Sequence, residues 1–314
     1  FVVVGNGKTA VDIARILASC NRVKLAALLG DSSNEAAQSS LSTEAKLLDV
    51  PYLETRSLSD QDSLDFVRKA DPDYIISANN FILFKQSMLD IPTIATVNFH
   101  NGPLPSYAGL NPYCWAIIND ESYYGVSWHL VEASIDSGPV LHIAKFELGC
   151  QPKAVTTLIK CIREGVRSFS EHVLPKLLER QYSGTPQDQS GRHYYSGTNI
   201  PFQGKLPWWE SNDTLERWAR ALTFSPLPNI FYRPQLQVAN IAPVWGERIQ
   251  FKAFESGQKP GEIIHIDANE IHVATQAGCI LIDGIFSKSN QLIDPMKLGL
   301  AVGQRLLGES SLNL

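Results

Sequence analysis

Apolar runs and periodic stretches alternate along roughly the first 180 residues. Residues 1–4 (Phe-Val-Val-Val) form a continuous apolar run of strand length, and Val11, Ile13, Ala14 and Leu17 give residues 8–20 helical spacing. Further strands are expected at 22–29, 74–78, 94–100, 125–131 and 139–147. Helices are expected at 59–70 (opened by Ser59 or Asp60), near 112–119, and over about 153–182. Residues 32–43 are polar and read as a loop leading into a short helix. Alternating strands and helices predict an α/β fold: a mostly parallel sheet with helices on both faces.

The pattern changes at about residue 183. Residues 183–212 are rich in Gly, Ser, Gln and Pro, the composition of a linker, and a short helix is expected at about 213–222. Five short strands follow, at 236–241, 247–254, 261–266, 270–275 and 279–284. The turns between them fall at Glu255-Ser256-Gly257, Asp267-Ala268-Asn269 and Gln276-Ala277-Gly278. Short strands at that spacing predict a small β-barrel. A helix at about 294–307 is expected to close it. The expected organisation is a domain over 1–185, a linker over 186–212, a second domain over 213–308 and a tail over 309–314.

Composition narrows the class. A chain of 314 residues, 44% hydrophobic, can bury about two cores. A net charge of −5 with no basic block argues against a nucleic-acid partner. The five cysteines are scattered without a Cys-x-x-Cys, and the seven histidines show no ligand pair along the chain. Free, buried thiols in a reducing compartment are expected, with no disulfide framework and no metal site. No apolar run reaches the ~18 residues of a membrane span, and no signal peptide is visible. A cytoplasmic location without a membrane partner is therefore expected. The chain opens at Phe1, inside the first strand and without Met, as a trimmed chain or a piece of a larger protein would.

Candidate chemistry concentrates in the strand at 94–100 and the loop after 125–131. Asn98 and His100 are two residues apart, so on a strand they share a face. Pro103 and Pro105 then forbid strand pairing and start a rigid loop. Asp136 follows the next strand, in Ser134-Ile135-Asp136-Ser137-Gly138. If the two strands are neighbours, an amide, an imidazole and a carboxylate converge. Acyl transfer to an amine needs such a set: a proton acceptor, donors aimed at an oxyanion and a partner that fixes the imidazole. Asn98 suits the oxyanion role, and His100 suits proton transfer or oxyanion stabilisation. Asp136 suits orienting His100 and taking a proton. Either His100 or Asp136 could accept the amine proton. Each piece alone has a plainer reading, Asn-x-His as packing and Asp-Ser-Gly as a turn; their order and spacing together favour the chemistry.

A competing motif lies at the N-terminus. Gly5-Asn6-Gly7-Lys8-Thr9-Ala10 matches the G-x-G-x-x-G/A dinucleotide fingerprint, and Asp31 stands near the place of a ribose-binding acid. The favoured reading is that these glycines only make the first strand-to-helix turn.

The run Asn98-Phe99-His100-Asn101-Gly102-Pro103-Leu104-Pro105-Ser106-Tyr107-Ala108-Gly109, followed by Asp136-Ser137-Gly138, resembles the 10-formyltetrahydrofolate-dependent formyltransferases. Their pattern is Asn-x-His, then Leu-Pro-x-x-x-Gly, then Asp-x-Gly. Pro260-Gly261-Glu262-Ile263-Ile264 and Gly278-Cys279-Ile280-Leu281-Ile282 look like the family's C-terminal strand patterns. The resemblance implies a Rossmann-like catalytic domain followed by an OB-like barrel. It implies that Asn98, His100 and Asp136 carry catalysis, with 10-formyltetrahydrofolate as formyl donor and no metal. It places the pterin in a slot between Phe81-Ile82-Leu83 and Glu132-Ala133-Ser134-Ile135, with Leu104 packing on the ring.

The methionyl-tRNA branch usually carries a Ser-Leu-Leu-Pro run and a following Arg-Gly, which this chain lacks. Asn101-Gly102-Pro103-Leu104-Pro105 looks more like formyltransferases acting on amino sugars of nucleotide sugars, and like the formyltransferase domains that start nonribosomal peptide synthetases. Residues 217–229 also carry a pattern similar to the sugar branch. The expectation is formylation of an aminoacyl group on the phosphopantetheine arm of a carrier protein, beside an adenylation domain. Gly102, Tyr107 and Asn111 would line the acceptor mouth. An amino-sugar nucleotide is the alternative acceptor. A methionyl-tRNA enzyme, a formyltetrahydrofolate hydrolase and a non-catalytic folate-binding module are the remaining readings.

Overall fold

The computed structural model describes residues 1–32, 39–254 and 257–307. The expected turn residues Glu255 and Ser256 and the tail over 309–314 lie outside these. Two compact units emerge. The first comprises Phe1–Pro112, Tyr123–Glu147 and Leu158–Tyr195; the second comprises Tyr113–Ser122, Leu148–Thr157 and Ser196 onward.

The chain runs β1 (Val2–Gly5), α1 (Gly7–Ser19), β2 (Ala27–Asp31), α2 (Ser39–Leu47), β3 (Tyr52–Thr55), α3 (Gln61–Ala70), β4 (Tyr74–Ala78), α4 (Gln86–Leu89) and β5 (Ala95–His100). Then come β6 (Ala108–Gly109), α5 (Pro112–Ile118), β7 (Tyr123–Leu130), β8 (Val140–Glu147) and α6 (Ala154–Ser168). A π-helical turn at Phe169–Val173 links α6 to α7 (Leu174–Leu178), which ends the long helix expected over 153–182.

The first unit holds a seven-stranded sheet in the order β3-β2-β1-β4-β5-β7-β8. Pairing is parallel from β3 through β5. It turns antiparallel at β5–β7–β8. Val2, Val4, Leu29 and Ile75 are buried from one strand to the next, as an apolar parallel core requires. Strand β3 was not legible in the pattern: Tyr-Leu-Glu-Thr is short and mostly half-exposed at the sheet edge. Strand β7 is buried along most of its length, with Trp128 packed between Phe99 and Phe169 at centroid distances of 5.2 and 4.9 Å.

The stretch expected as a linker over 186–212 carries β9 (Tyr194–Tyr195), which pairs with β6. Helix α8 (Asn212–Ala221) opens the next segment, where the Ser211 side chain accepts from Thr214 N. The second unit contains β10 (Gln235–Leu236), β11 (Val244–Ala253), β12 (Ile263–Ile266), β13 (Glu270–Thr275) and β14 (Gly278–Phe286). They form an antiparallel sheet in the order β10-β11-β14-β13-β12, compatible with an OB-like domain. Its core joins Trp208, Trp218, Ile249, Ile271 and Ile280. The strand expected at 236–241 stops at Leu236, and Asn240 beyond it has a left-handed backbone (φ 65°).

The helix expected over 294–307 is replaced by one 3-10 turn at Pro295–Leu298. Gly299 and Gly303 adopt φ of 69° and 88°, which breaks any helix. Leu306 bridges to Val238 instead. All five cysteines are free; Cys114, Cys161 and Cys279 are buried, whereas Cys150 is exposed. Among the described residues no helix is long and apolar enough to cross a membrane.

Candidate active site

The functional side chains gather at the β5–β7 junction. The register places Asn98 opposite His129 and His100 opposite Ser127. Because β7 runs against β5, its end at Leu130 lies beside Val97, not beyond His100. The loop after β7 must therefore turn back to deliver Asp136. It does so with Asp136 in the left-handed region at φ 50°, a conformation that Asp tolerates better than most residues.

Asp136 then sits between two imidazoles. Its Oδ2 is 3.5 Å from His100 Nδ1, and its Oδ1 is 3.6 Å from His129 Nε2. Gly109 N–H donates to Oδ2 at 2.9 Å. His100 Nε2–H donates to the Tyr107 carbonyl at 2.6 Å, so Nδ1 is the ring atom left facing Asp136. His129 Nδ1–H donates to the Leu130 carbonyl at 2.7 Å. This leaves the Nε2 lone pair of a neutral ring to accept from Asn98 Nδ2 at 3.1 Å. His129 thus fixes the Asn98 amide and flanks Asp136 at once.

Burial by itself would raise the Asp136 carboxyl. The flanking His100 and His129 and the Gly109 N–H together outweigh it and hold the group well below the usual carboxylate range. A depressed folded value contributes stability that is fully present above the unfolded value, about 3.9. That contribution is lost as pH falls through the folded value. The stability difference between wild type and Asp136→Asn is therefore expected to shrink steadily below about pH 4, read from urea midpoints at each pH. A difference that does not vary with pH would contradict a partnered, ionised carboxylate.

The supporting residues come from unexpected places. Gln187 Nε2 donates to the Asp136 and Gly138 carbonyls at 2.9 and 2.7 Å. Arg192 donates to the Asp136 and Ile135 carbonyls at 3.0 and 2.7 Å. Both clamps belong to the stretch expected as linker. Ser127 Oγ donates to the Gly102 carbonyl and accepts from Leu104 N–H, which pins the loop after β5. At Gly138 a Cβ would lie 2.0 Å from the Leu130 carbonyl oxygen, so any side chain forces the Asp136 loop to move. Gly138→Ala is expected to cost about 1–3 kcal/mol in stability and to lower the rate of any reaction that uses Asp136. Urea unfolding and steady-state rates check this; an unchanged rate would contradict it.

The other expected site residues divide. Phe81 and Leu83, after β4, are 51% and 62% exposed. Glu132, Ala133, Ser134 and Ile135 are exposed in the loop before Asp136, and Ile82 is half-buried in the core. Leu104 is buried at 3% exposure. Gly102 and Tyr107 are buried beside the His100 imidazole. A Cβ on Gly102 would meet Tyr107 O at 2.5 Å and His100 Nε2 at 3.1 Å. The Tyr107 ring is buried against Tyr195 and Tyr124 at centroid distances of 5.6 and 5.4 Å. Asn111 is half-buried with a left-handed backbone (φ 48°). At the N-terminal turn, the Asp31 carboxylate accepts from Phe81 N–H at 2.7 Å, and Asn6 Nδ2 donates to the Asp31 carbonyl. The acid of the dinucleotide-like motif thus holds the neighbouring loop.

Known proteins bear on this arrangement. The sequence family described as Formyl transferase matches residues 3–165. A methionyl-tRNA formyltransferase of Finegoldia magna is 22% identical over 280 residues, 88% of this chain and 84% of that protein. The fold is shared with an N-formyltransferase from Helicobacter canadensis solved with folinic acid and dTDP-3-aminofucose. That structure has a TM-score of 0.60 and 14% identity, with 90% of this chain and 98% of that one covered. HypX from Aquifex aeolicus in complex with tetrahydrofolic acid shares it too (TM-score 0.58, 16% identity), over 95% of this chain and 46% of that one. Because the family match spans more than half of the sequence, the chain belongs to the formyl transferase family.

Proposed function

We propose that this chain moves the formyl group of 10-formyltetrahydrofolate onto the primary amine of an aminoacyl group held by a carrier protein, with Asn98, His100 and Asp136 carrying the chemistry. The observation that carries the catalytic reading is Asp136 held ionised between His100 and His129, beside Asn98.

The amine attacks the formyl carbon, forming a C–N bond and placing negative charge on the formyl oxygen. One Asn98 N–H is engaged by His129, which leaves the second to meet that oxygen. The amine loses a proton towards the His100–Asp136 pair. His100 takes it at Nδ1, the ring atom not held by Tyr107, while the Asp136 carboxylate balances the imidazolium charge. The proton then passes to the departing folate nitrogen as its bond to the formyl carbon breaks. The products are a formamide and tetrahydrofolate. Phe81, Leu83 and Ile135 suit the donor's flat ring, since all three are large apolar side chains left exposed on these two loops.

For the acceptor, Asn101-Gly102-Pro103-Leu104-Pro105 and the net charge of −5 support the carrier-bound amine over a tRNA. An amino-sugar nucleotide is the second reading, supported by the shared fold with the Helicobacter canadensis enzyme bound to dTDP-3-aminofucose. The test offers the protein 10-formyltetrahydrofolate with an aminoacyl-loaded carrier protein or an amino-sugar nucleotide, and follows product mass. Formylated carrier is expected. Formylation of the sugar alone would replace the carrier reading.

A further inference from the structure

The edge hairpin of the second unit brings together two imidazoles and a carboxylate that the reaction does not use. Strands β12 and β13 pair His265 directly with His272, and their rings lie 4.6 Å apart. Glu270 is two residues before His272, and its Oε1 lies 2.7 Å from His272 Nε2. One ligand atom from each of His265, Glu270 and His272 falls within 4.8 Å of the others. The spacing along the chain hides this set, because it forms only when the turn at Asp267-Ala268-Asn269 folds the two strands together.

We propose that His265, His272 and Glu270 bind a divalent first-row transition metal such as Zn²⁺. Two neutral imidazole nitrogens and a carboxylate oxygen are a donor set that Zn²⁺ takes with one further position left for water. Ligand atoms of a tetrahedral Zn²⁺ are about 2.0–2.2 Å from the metal, so the set must contract slightly. The His265 side chain is nearly half-exposed and has room to turn inward. Asp267 acts as the outer partner. Its Oδ2 lies 3.3 Å from His265 Nε2, while Oδ1 accepts the Asn269 and Glu270 N–H groups and so is fixed by the turn. The buried Ile263, Ile271 and Val273 hold the two strands in register independently of these side chains. The metal would clip the edge strand β12 to β13.

The test uses the full chain, stripped of metal with a chelator and desalted. Titration with Zn²⁺ by calorimetry, and with Co²⁺ by its visible d–d bands, is expected to show one equivalent bound. His265→Ala, His272→Ala and Glu270→Gln are each expected to weaken binding at least about tenfold. His172→Ala is expected to leave it unchanged; it serves as the control because His172 stacks on His142 elsewhere in the chain. Zn²⁺ should raise the unfolding temperature of the wild type and not that of His265→Ala, whose side chain lies outside the buried core. No binding at one equivalent, or binding lost in His172→Ala and kept in His265→Ala, would overturn the site.

Discussion

Replacing Asp136 by asparagine is expected to lower kcat/KM for formyl transfer about 10²–10⁴-fold, the range for losing a positioned acid–base partner. The substitution keeps shape and one oxygen, so the Gly109 N–H can still donate and the Gln187 and Arg192 clamps, which grip backbone carbonyls, are untouched. What disappears is the negative charge between His100 Nδ1 and His129 Nε2. A proton arriving on His100 then has no counter-charge, and the amine must be deprotonated against that cost. The loss should fall on kcat, with KM for the folate donor nearly unchanged, because the exposed Phe81 and Leu83 lie on a different loop. Steady-state kinetics beside a circular dichroism spectrum separates lost chemistry from lost folding. A well-folded variant within tenfold of wild type would remove Asp136 from the proton path.

Truncating Asn98 to alanine should cost about 10²–10³ in kcat, the range for losing one oxyanion donor. The amide is only partly enclosed, so the fold should survive. Its removal also leaves His129 Nε2 without the N–H it accepts from. Asn98→Ala and His129→Ala are therefore expected to be non-additive: the double variant should lose less than the product of the two single losses. Additive losses would mean that His129 does not act through Asn98.

The trio was legible in the sequence because each member sits in a short local motif with its own Pro or Gly punctuation. His129 was not. It lies in an apolar run between Trp128 and Leu130, where a lone histidine reads as core, and only the pairing of β7 against β5 puts it opposite Asn98. Gln187 and Arg192 were hidden for a different reason. Their stretch has a linker's composition, yet its side chains tie it to the Asp136 loop. Composition records propensity and not the tertiary hydrogen bonds that override it. The expected helix at 294–307 failed at Gly299 and Gly303, whose left-handed backbone angles no helix carries. Tyr107, an aromatic in a Gly/Pro loop, is buried and stacked on Tyr195, a partner that lies far along the chain and that no local pattern announces.

The central claim is that the formyl carbon ends on an amine through the Asp136-centred site. The direct measurement follows isotope-labelled formyl carbon from 10-formyltetrahydrofolate in the presence of an aminoacyl-carrier protein, with wild type and Asp136→Asn in parallel. The label is expected in a formamide on the carrier-bound amine, with release of tetrahydrofolate, and transfer should nearly vanish in the variant. Label recovered as formate, with the amine unmodified, would instead make water the acceptor and contradict the transfer reading.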